Sequence, residues 1–442
     1  MASLGCAKNL VDAETMLGET LDDEFHLALD PAAADVIIIN TCGFIEDARQ
    51  EAREVIEEYL ELKRTMRGRL KVVATGCWAD RSPADLLTEF PDLDGVWGLA
   101  IPSSLRESIR GLGLSDSVAG IGVPAHPREG ARLVTTLPSF AYLRLSDGCD
   151  NRCHYCAIPL IRGGLRSRDP EAVLEEARSL EQQGARELVV ISQDTTAYGM
   201  DLGRSDAALA PLLERLLSEV SLPRIRVLYA HPAHIDDRVI DMLRNEQRLC
   251  GYLDLPIQHA SDNVLSRMGR GYGRDRILEI LERLGGGVTL RTTILAGFPG
   301  ETEQDFLQTL ELVERGAFRH LGAFAYSPET GTPACDFPDQ VPPETARERR
   351  DALMEAQSRV AFGWLDSRLG KKERVLVDAR LDREWVLARS RHEAPDADGR
   401  IYLRNAETRP GAIIEACIQS REGYDLVADT GAAKGRKRRR GR

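Results

Sequence analysis

The chain has 442 residues, enough for two or three domains with cores of their own. A net charge of −12 makes it a poor nonspecific binder of nucleic acid, and no apolar run reaches the roughly eighteen residues a membrane helix needs. Nine cysteines, an odd number spread over a long chain behind a start with no apolar leader, are not a secreted disulfide framework, so a reducing cytoplasm is expected.

In chain order, Ala2–Gly5 reads as the stub of a strand, followed by Cys6 and a helix beginning near Asn9. The β-branched run from Asp35 to Asn40 reads as a buried parallel strand, followed by Thr41-Cys42-Gly43 and an amphipathic helix from about Phe44 to Lys63. Leu70 to Ala74 repeats the plan and ends in Thr75-Gly76-Cys77. Cys6, Cys42 and Cys77 thus each fall just past the carboxyl end of a strand, in the crevice where open α/β sheets bind ligands. A lone cysteine there is ordinarily a small buried hydrophobe. Three in the same local position, each beside a glycine, point to a shared metal site without saying which metal.

From about Thr135 to Leu365 strands and helices alternate in a longer series. Strands are expected at Phe140–Leu145, Glu187–Ile191, Arg224–Tyr229, Tyr252–Leu255, Thr289–Leu295 and His320–Ala325, with a helix over Pro170–Gln183. Six β/α units imply a parallel sheet curved into a partial or full barrel. The loop after the first strand reads C-D-N-R-C-H-Y-C, placing Cys149, Cys153 and Cys156 in one CxxxCxxC run. Three thiolates this close suit three irons of a 4Fe–4S cube and leave the fourth iron open. A zinc site would want four ligands in paired spacing, and so short a loop cannot pair three cysteines in disulfides. The loop belongs to the C-terminal face of the strands, where such barrels keep their active sites.

Past Leu369 the texture changes to five short apolar or alternating runs divided by Gly, Pro and Asp, the pattern of a small OB-like barrel. Eleven basic and twelve acidic residues between Leu369 and Thr430 do not make an electropositive groove. The last nine residues carry seven basic side chains, so the rest of the chain stands near −19. That block is expected to be disordered, a solubilising terminus or a contact for RNA phosphates.

The CxxxCxxC run after the first strand of a β/α series resembles the radical S-adenosylmethionine superfamily. The whole chain is similar to its methylthiotransferases, through SLGCAKN, INTCGF and ATGCW around Cys6, Cys42 and Cys77. Within them it most resembles the branch that methylthiolates an aspartate of small-subunit ribosomal protein twelve. NTCGFIEDARQEA (40–52), CAIPLIRGGLRSR (156–168), LPIQHAS (255–261), AFAYSPETGTPACDFPDQVP (323–342) and APDADG (394–399) carry that likeness. The family usually has several more residues of strand before its first cysteine than the five found here.

The resemblance implies an α/β chain of three domains. An N-terminal open parallel α/β domain spans 1–114, a six-fold β/α partial barrel 135–365, and a small antiparallel TRAM barrel 368–433, ahead of the basic tail 434–442. It implies two 4Fe–4S clusters, one on Cys149, Cys153 and Cys156, the other on Cys6, Cys42 and Cys77. Two molecules of S-adenosylmethionine are used, one as methyl donor and one as radical source, for a C–H bond that no protein acid or base attacks. An external electron donor and a sulfur donor complete the partners, with the ribosomal protein as substrate and no membrane. Methylthiolation of isopentenyladenosine in transfer RNA is the alternative, and a two-cluster electron or sulfur carrier a second.

Tyr155, Gln193, Gly297 and Gly300 match positions near that cofactor, although Gln193-Asp194 stands where the superfamily commonly has Gly-Gly-Glu. The glycines and Thr302 also suit a turn and a helix N-cap. His231 and His234 lack a carboxylate at the spacing of a known metal site and are expected in loop packing or substrate contact. Cys250, Cys335 and Cys417 stand alone, as inert small hydrophobes.

Overall fold

The structure is a computed structural model and describes every residue except 23, 68, 100–104, 113–117, 123–130, 204–207, 405 and 431–442. The basic tail at 434–442 lies outside the described residues. By packing, the chain divides into two units. The first comprises Met1–Thr135, Ser146–Arg168 and Ser327–Asp336; the second comprises Thr136–Leu145, Asp169–Tyr326 and Phe337–Arg442.

In the first unit, strand β1 (Ala2–Ser3) leads to helix α1 (Ala7–Thr20), and β2 (Val36–Thr41) to α2 (Glu46–Thr65). Then come β3 (Lys71–Gly76), α3 (Cys77–Arg81), α4 (Pro83–Glu89), β4 (Gly95–Trp97), α5 (Leu105–Arg110) and β5 (Val118–Ala119). The strands pair in the order β1-β2-β3-β4-β5, all parallel. Successive β2 residues feed opposite faces: Ile37 and Ile39 pack with Ile56, Leu60 and Trp78, while Ile38 packs with Met16, Val73 and Trp97. Two buried faces are why β2 reads as an unbroken apolar run rather than an alternation. Ala52, Ile56 and Leu60 recur every four residues along the buried stripe of α2. Each large side chain buried there stabilises the unit by about 1.5–3 kcal/mol. Glu46 and Asp47 in the first turn of α2, with Lys63 and Arg64 in its last, complement the helix dipole.

Strand β6 (Phe140–Arg144) opens the main sheet of the second unit. The loop after it returns to the first unit as the short hairpin β7 (Ser146–Asp147) and β8 (Arg166–Ser167), with α6 (Ile158–Arg162) between them. The second unit continues with α7 (Pro170–Gln182), β9 (Glu187–Ile191), α8 (Leu209–Glu219), β10 (Arg224–Val227), α9 (Asp237–Asn245) and β11 (Leu249–Asp254). There follow α10 (Asp262–Arg267), α11 (Arg274–Leu284), β12 (Thr289–Ala296), α12 (Glu303–Glu314), β13 (His320–Ala325) and α13 (Pro343–Asp366). The six strands stand in the order β13-β12-β11-β10-β9-β6, every pair parallel, the expected β/α series.

Two strand boundaries of this sheet differ from the sequence reading by more than one residue. Strand β10 stops at Val227 because Tyr229 takes a left-handed φ of 62°. Strand β11 starts at Leu249, ahead of Tyr252, with Cys250 and Gly251 buried in it, although glycine has weak strand preference.

The last strands, β14 (Lys372–Arg380), β15 (Trp385–Arg389), β16 (Ile401–Arg404), β17 (Ile413–Glu422) and β18 (Asp425–Asp429), form a closed barrel. It is not wholly antiparallel, because β16 and β18 pair in parallel to close it. Leu365 of α13 packs into its core with Val375, Val386 and Ile401. Buried charges tie β9 to this barrel: Glu187 meets Arg226 at 2.6 Å and Arg389 at 3.1 Å, and Arg389 meets Asp378 at 2.8 Å. Burial alone would raise the Glu187 carboxyl, but the arginines outweigh it and hold it down at about 2.

Candidate active site: two three-cysteine groups

Each N-terminal cysteine stands where a strand gives way to a loop or helix. Cys6 is the N-cap of α1, Cys42 follows β2, and Cys77 opens α3 directly after β3. Two glycines allow this crowding. Gly5 has φ +84° and a Cβ there would meet the Cys42 Sγ at 3.0 Å; Gly76 has φ +91° and a Cβ there would overlap the Asn40 side chain. Asn9 ties the three loops together. Its Nδ2 donates to the carbonyls of Leu4 (3.2 Å) and Thr41 (3.0 Å), its own carbonyl accepts from Asn40 Nδ2 (2.7 Å), and its Oδ1 accepts from the Cys77 thiol (3.4 Å).

Burial pushes the Cys77 thiol up to about 12; the Arg162 guanidinium opposes this, and Cys6 and Cys42 add to it. Cys42 is also raised, by burial first and by Cys6 to a lesser degree. A buried thiol of this kind ionises when a metal takes the proton's place.

The second group lies on the loop that the same unit contains. Cys149 N–H donates to the Gly163 carbonyl (3.0 Å) and Cys156 N–H to that of Cys153 (3.0 Å). Asp150 accepts from Leu165 N–H (2.9 Å), closing the loop, and Gly148, at φ +72°, leaves no room for a Cβ against the Gly164 carbonyl. Cys149, Cys153 and Cys156 line one cavity of about 450 Å³ with His154, Leu160 and Pro333. No disulfide consumes any of the nine cysteines. Soft thiolates in threes, with room beside them, fit a cubane that keeps one iron open.

Helix α6 follows this loop and joins it to the first group. Ala157 and Ile161 form an apolar cluster with Cys77. Arg162, at its end, reaches Asp12 (2.7 Å), Asn9 (2.9 Å), Asp147 (3.1 Å) and the Cys77 Sγ (3.5 Å). Segment 327–336 is pinned to the same unit by Glu329, whose carboxylate meets Arg49 and Arg81 at 2.9 Å each.

Tyr155 is half-buried in the cysteine loop. In the second unit, Gln193 follows β9, and Gly297 and Gly300 follow β12. Both glycines have positive φ, and packing explains both: a Cβ at Gly297 would meet Ala346 at 2.2 Å, and one at Gly300 would meet Arg267 at 2.4 Å. Glu301 accepts from the N–H groups of Gly297 (2.7 Å) and Phe298 (3.1 Å), and Thr302 caps α12 in a capping box with Asp305. Tyr229 and Gln258, just past β10 and β11, are non-glycine residues at positive φ. Such strain collects at functional sites.

The two histidines acquire a carboxylate after all. Asp194, after β9, lies 2.7 Å from His234 Nδ1, and His231 stacks on His234 with ring centroids 4.9 Å apart. Their donor atoms all lie within 4.8 Å of one another. Burial lowers the His231 pKa and would raise that of Asp194, but the His234 hydrogen bond and His231 keep Asp194 below its ordinary value.

Comparison with known proteins assigns the parts. Residues 143–313 match the radical SAM superfamily, residues 1–98 the Uncharacterized protein family UPF0004, and residues 369–430 the TRAM domain. The chain is 40% identical over 437 residues to the ribosomal protein uS12 methylthiotransferase RimO of Trichlorobacter lovleyi, covering 97% of both chains. It is 41% identical to the RimO of Desulforudis audaxviator (97% and 96% covered) and 38% to that of Clostridioides difficile (97% and 98%). The chain belongs to the RimO methylthiotransferase family. Its fold is also that of the radical S-adenosylmethionine methyltransferase TsrM of Kitasatospora setae, at TM-score 0.50 and 17% identity over 69% of this chain and 67% of the other.

For a RimO relative, the sequence reading named the six cysteines but not what surrounds them. Asn9 and Arg162 stood inside SLGCAKN and CAIPLIRGG without a role, and Glu329 inside SPETG. The signal for Arg162 was a charge in an otherwise apolar helical stretch, a residue that is rarely buried unless paired. Cys250 is buried, whereas Cys335 and Cys417 are partly exposed.

Proposed function

We propose that this chain is a radical S-adenosylmethionine methylthiotransferase that modifies an aspartate of ribosomal protein uS12. The observation that carries the reading is the pair of three-cysteine groups packed in one unit and bridged by Asn9 and Arg162, in a chain about 40% identical to RimO proteins along nearly its whole length. Cys149, Cys153 and Cys156 would hold the radical cluster, and Cys6, Cys42 and Cys77 an auxiliary one. When bound, the clusters and S-adenosylmethionine supply the reducing electron, the radical and the sulfur-bearing iron. Asn9 holds the three N-terminal loops together, and the backbone bonds of Cys149 and Cys156 shape the second loop. Tyr155, Gln193, Gly297 and Gly300 are assigned to S-adenosylmethionine on the resemblance alone.

A protein substrate agrees with the C-terminal barrel, where Arg389, Arg404, Lys372 and Arg368 are engaged by Asp378, Glu384, Glu415 and Glu393. The reaction requires an external reductant and a sulfur donor. The test is mass spectrometry of uS12 from a strain lacking this chain and from one carrying it. A gain of one methylthio group on a uS12 aspartate only when the chain is present is expected. An unchanged uS12 mass, with methylthio lost from transfer RNA instead, overturns the reading.

A further inference from the structure

Arg162 is 1% exposed and lies six residues beyond the last cysteine of the loop. Burying a guanidinium is costly unless it is paired, and Asp12 and Asp147 supply that pairing at 2.7 and 3.1 Å. Those two carboxylates suffice to hold the charge. The fork of donors nevertheless also faces the N-terminal cysteines: Nη2 lies 2.9 Å from Asn9 Oδ1 and 3.5 Å from the Cys77 Sγ. Lysine, a point charge on a flexible stem, cannot span four acceptors in this way.

The chemistry of Cys77 gives the contact its meaning. As a thiol, Cys77 donates its hydrogen to Asn9 Oδ1 at 3.4 Å. As a metal-bound thiolate it has no hydrogen left to give, and it then needs a donor. Arg162 Nη2 is the donor already in place. Hydrogen bonds to the cysteine sulfurs and nearby net charge are among the factors that set the reduction potential of an iron–sulfur cluster.

We propose that Arg162 is a positioning residue for the auxiliary site: carried on the helix that follows the radical loop, it donates to the Cys77 sulfur and raises the reduction potential of the cluster held by Cys6, Cys42 and Cys77. The inference rests on the two-cluster reading. It also means that the segment building one site sets the electronic character of the other.

The experiment uses full-length reconstituted chain in two backgrounds. In one, Cys149, Cys153 and Cys156 are changed to alanine, leaving the auxiliary cluster; in the other, Cys6, Cys42 and Cys77 are changed, leaving the radical cluster. Each receives Arg162→Lys, or Arg162→Gln together with Asp12→Asn so that one carboxylate is lost with the cation, while Asp147 keeps Arg166 at 3.7 Å. Potentials are read by redox titration followed by electron paramagnetic resonance. The auxiliary cluster is expected to shift to a more negative potential, less in the lysine variant than in the double variant, while the radical cluster holds its potential. Selective loss of auxiliary iron with the radical cluster retained also supports the assignment. An unchanged auxiliary potential, an equal shift at both clusters, or unfolding of both variants overturns it. Absence of iron from the auxiliary site before Arg162 is touched refutes the two-cluster reading instead.

Discussion

Glu329 and Arg81 form a 2.9 Å ion pair across 248 residues of sequence, and the Glu329 side chain is only 4% exposed. Arg49 engages the same carboxylate oxygen at 2.9 Å, so two guanidinium groups share one buried acid, Arg49 also pairing with Glu46 at 2.7 Å. Arg81 ends α3, the helix that Cys77 begins, and also donates to the Gly43 carbonyl beside Cys42 (2.9 Å). Changing Glu329 to alanine removes the carboxylate from Arg81 and leaves Arg49 only its pairing with Glu46 at 2.7 Å. The expected cost is about 3–5 kcal/mol, read as a lower urea midpoint of the apoprotein. Glu329→Gln, which keeps the shape and one acceptor, should cost less. Equal midpoints for the parent and Glu329→Ala would show that this ion pair has no structural weight.

The two cysteine groups should separate by metal analysis. The reconstituted parent is expected to carry about eight irons, and either triple cysteine-to-alanine variant about four. The variant lacking Cys149, Cys153 and Cys156 should form no 5′-deoxyadenosine on reduction. The variant lacking Cys6, Cys42 and Cys77 should still form it while transferring no methylthio group. Loss of all iron from either triple variant would mean that the two groups build one centre.

A pH test follows from His259, which is 1% exposed and whose pKa burial depresses to about 3, against an ordinary value of 6.5. Burial lowers His231 as well. Between pH 6.5 and 3 the unfolded chain binds a proton at His259 that the folded chain refuses, so stability falls as pH falls through that window. The slope from one such histidine approaches about 1.4 kcal/mol per pH unit well below 6.5. The thermal midpoint should therefore drop between pH 7.5 and 5.5, ahead of carboxylate titration. Replacing His259 by glutamine should flatten the drop. A midpoint that is level or higher at pH 5.5 would refute the buried neutral form.

Position 297 offers a packing test. Gly297→Ala places a methyl group against Ala346 of α13 in a backbone conformation with φ +76°. Overpacking and backbone strain together should cost about 2–4 kcal/mol. Adding Ala346→Gly removes the clash but not the strain, so the double variant should recover part of the loss. Full recovery would leave no role for the backbone conformation, and no loss at all would contradict the close approach.

The sequence was most legible where chemistry is local. The CxxxCxxC spacing, the strand before each N-terminal cysteine and the β/α alternation all follow from neighbouring residues. Glu187–Ile191 and His320–Ala325 match the observed strands to the residue. What escaped depends on residues far apart. Arg162 meets Asn9 across 153 positions, and Asp194 reaches His234 across 40, because each comes from a different β/α unit. Neither sequence neighbourhood marks these groups as partners. The parallel closure of the barrel was hidden for the same reason, since β16 and β18 have β17 between them in the chain.

The excursion of residues 146–168 into the first unit has a practical consequence for recombining relatives. A cut near residue 135 looks like a clean seam, yet it would separate Cys77 from Ile161 and Arg162, and Arg81 from Glu329. A functional chimera would have to transplant three stretches of chain together: the first 135 residues, the cysteine loop and the 327–336 segment. What is contiguous in the gene is not what is inherited as a working part.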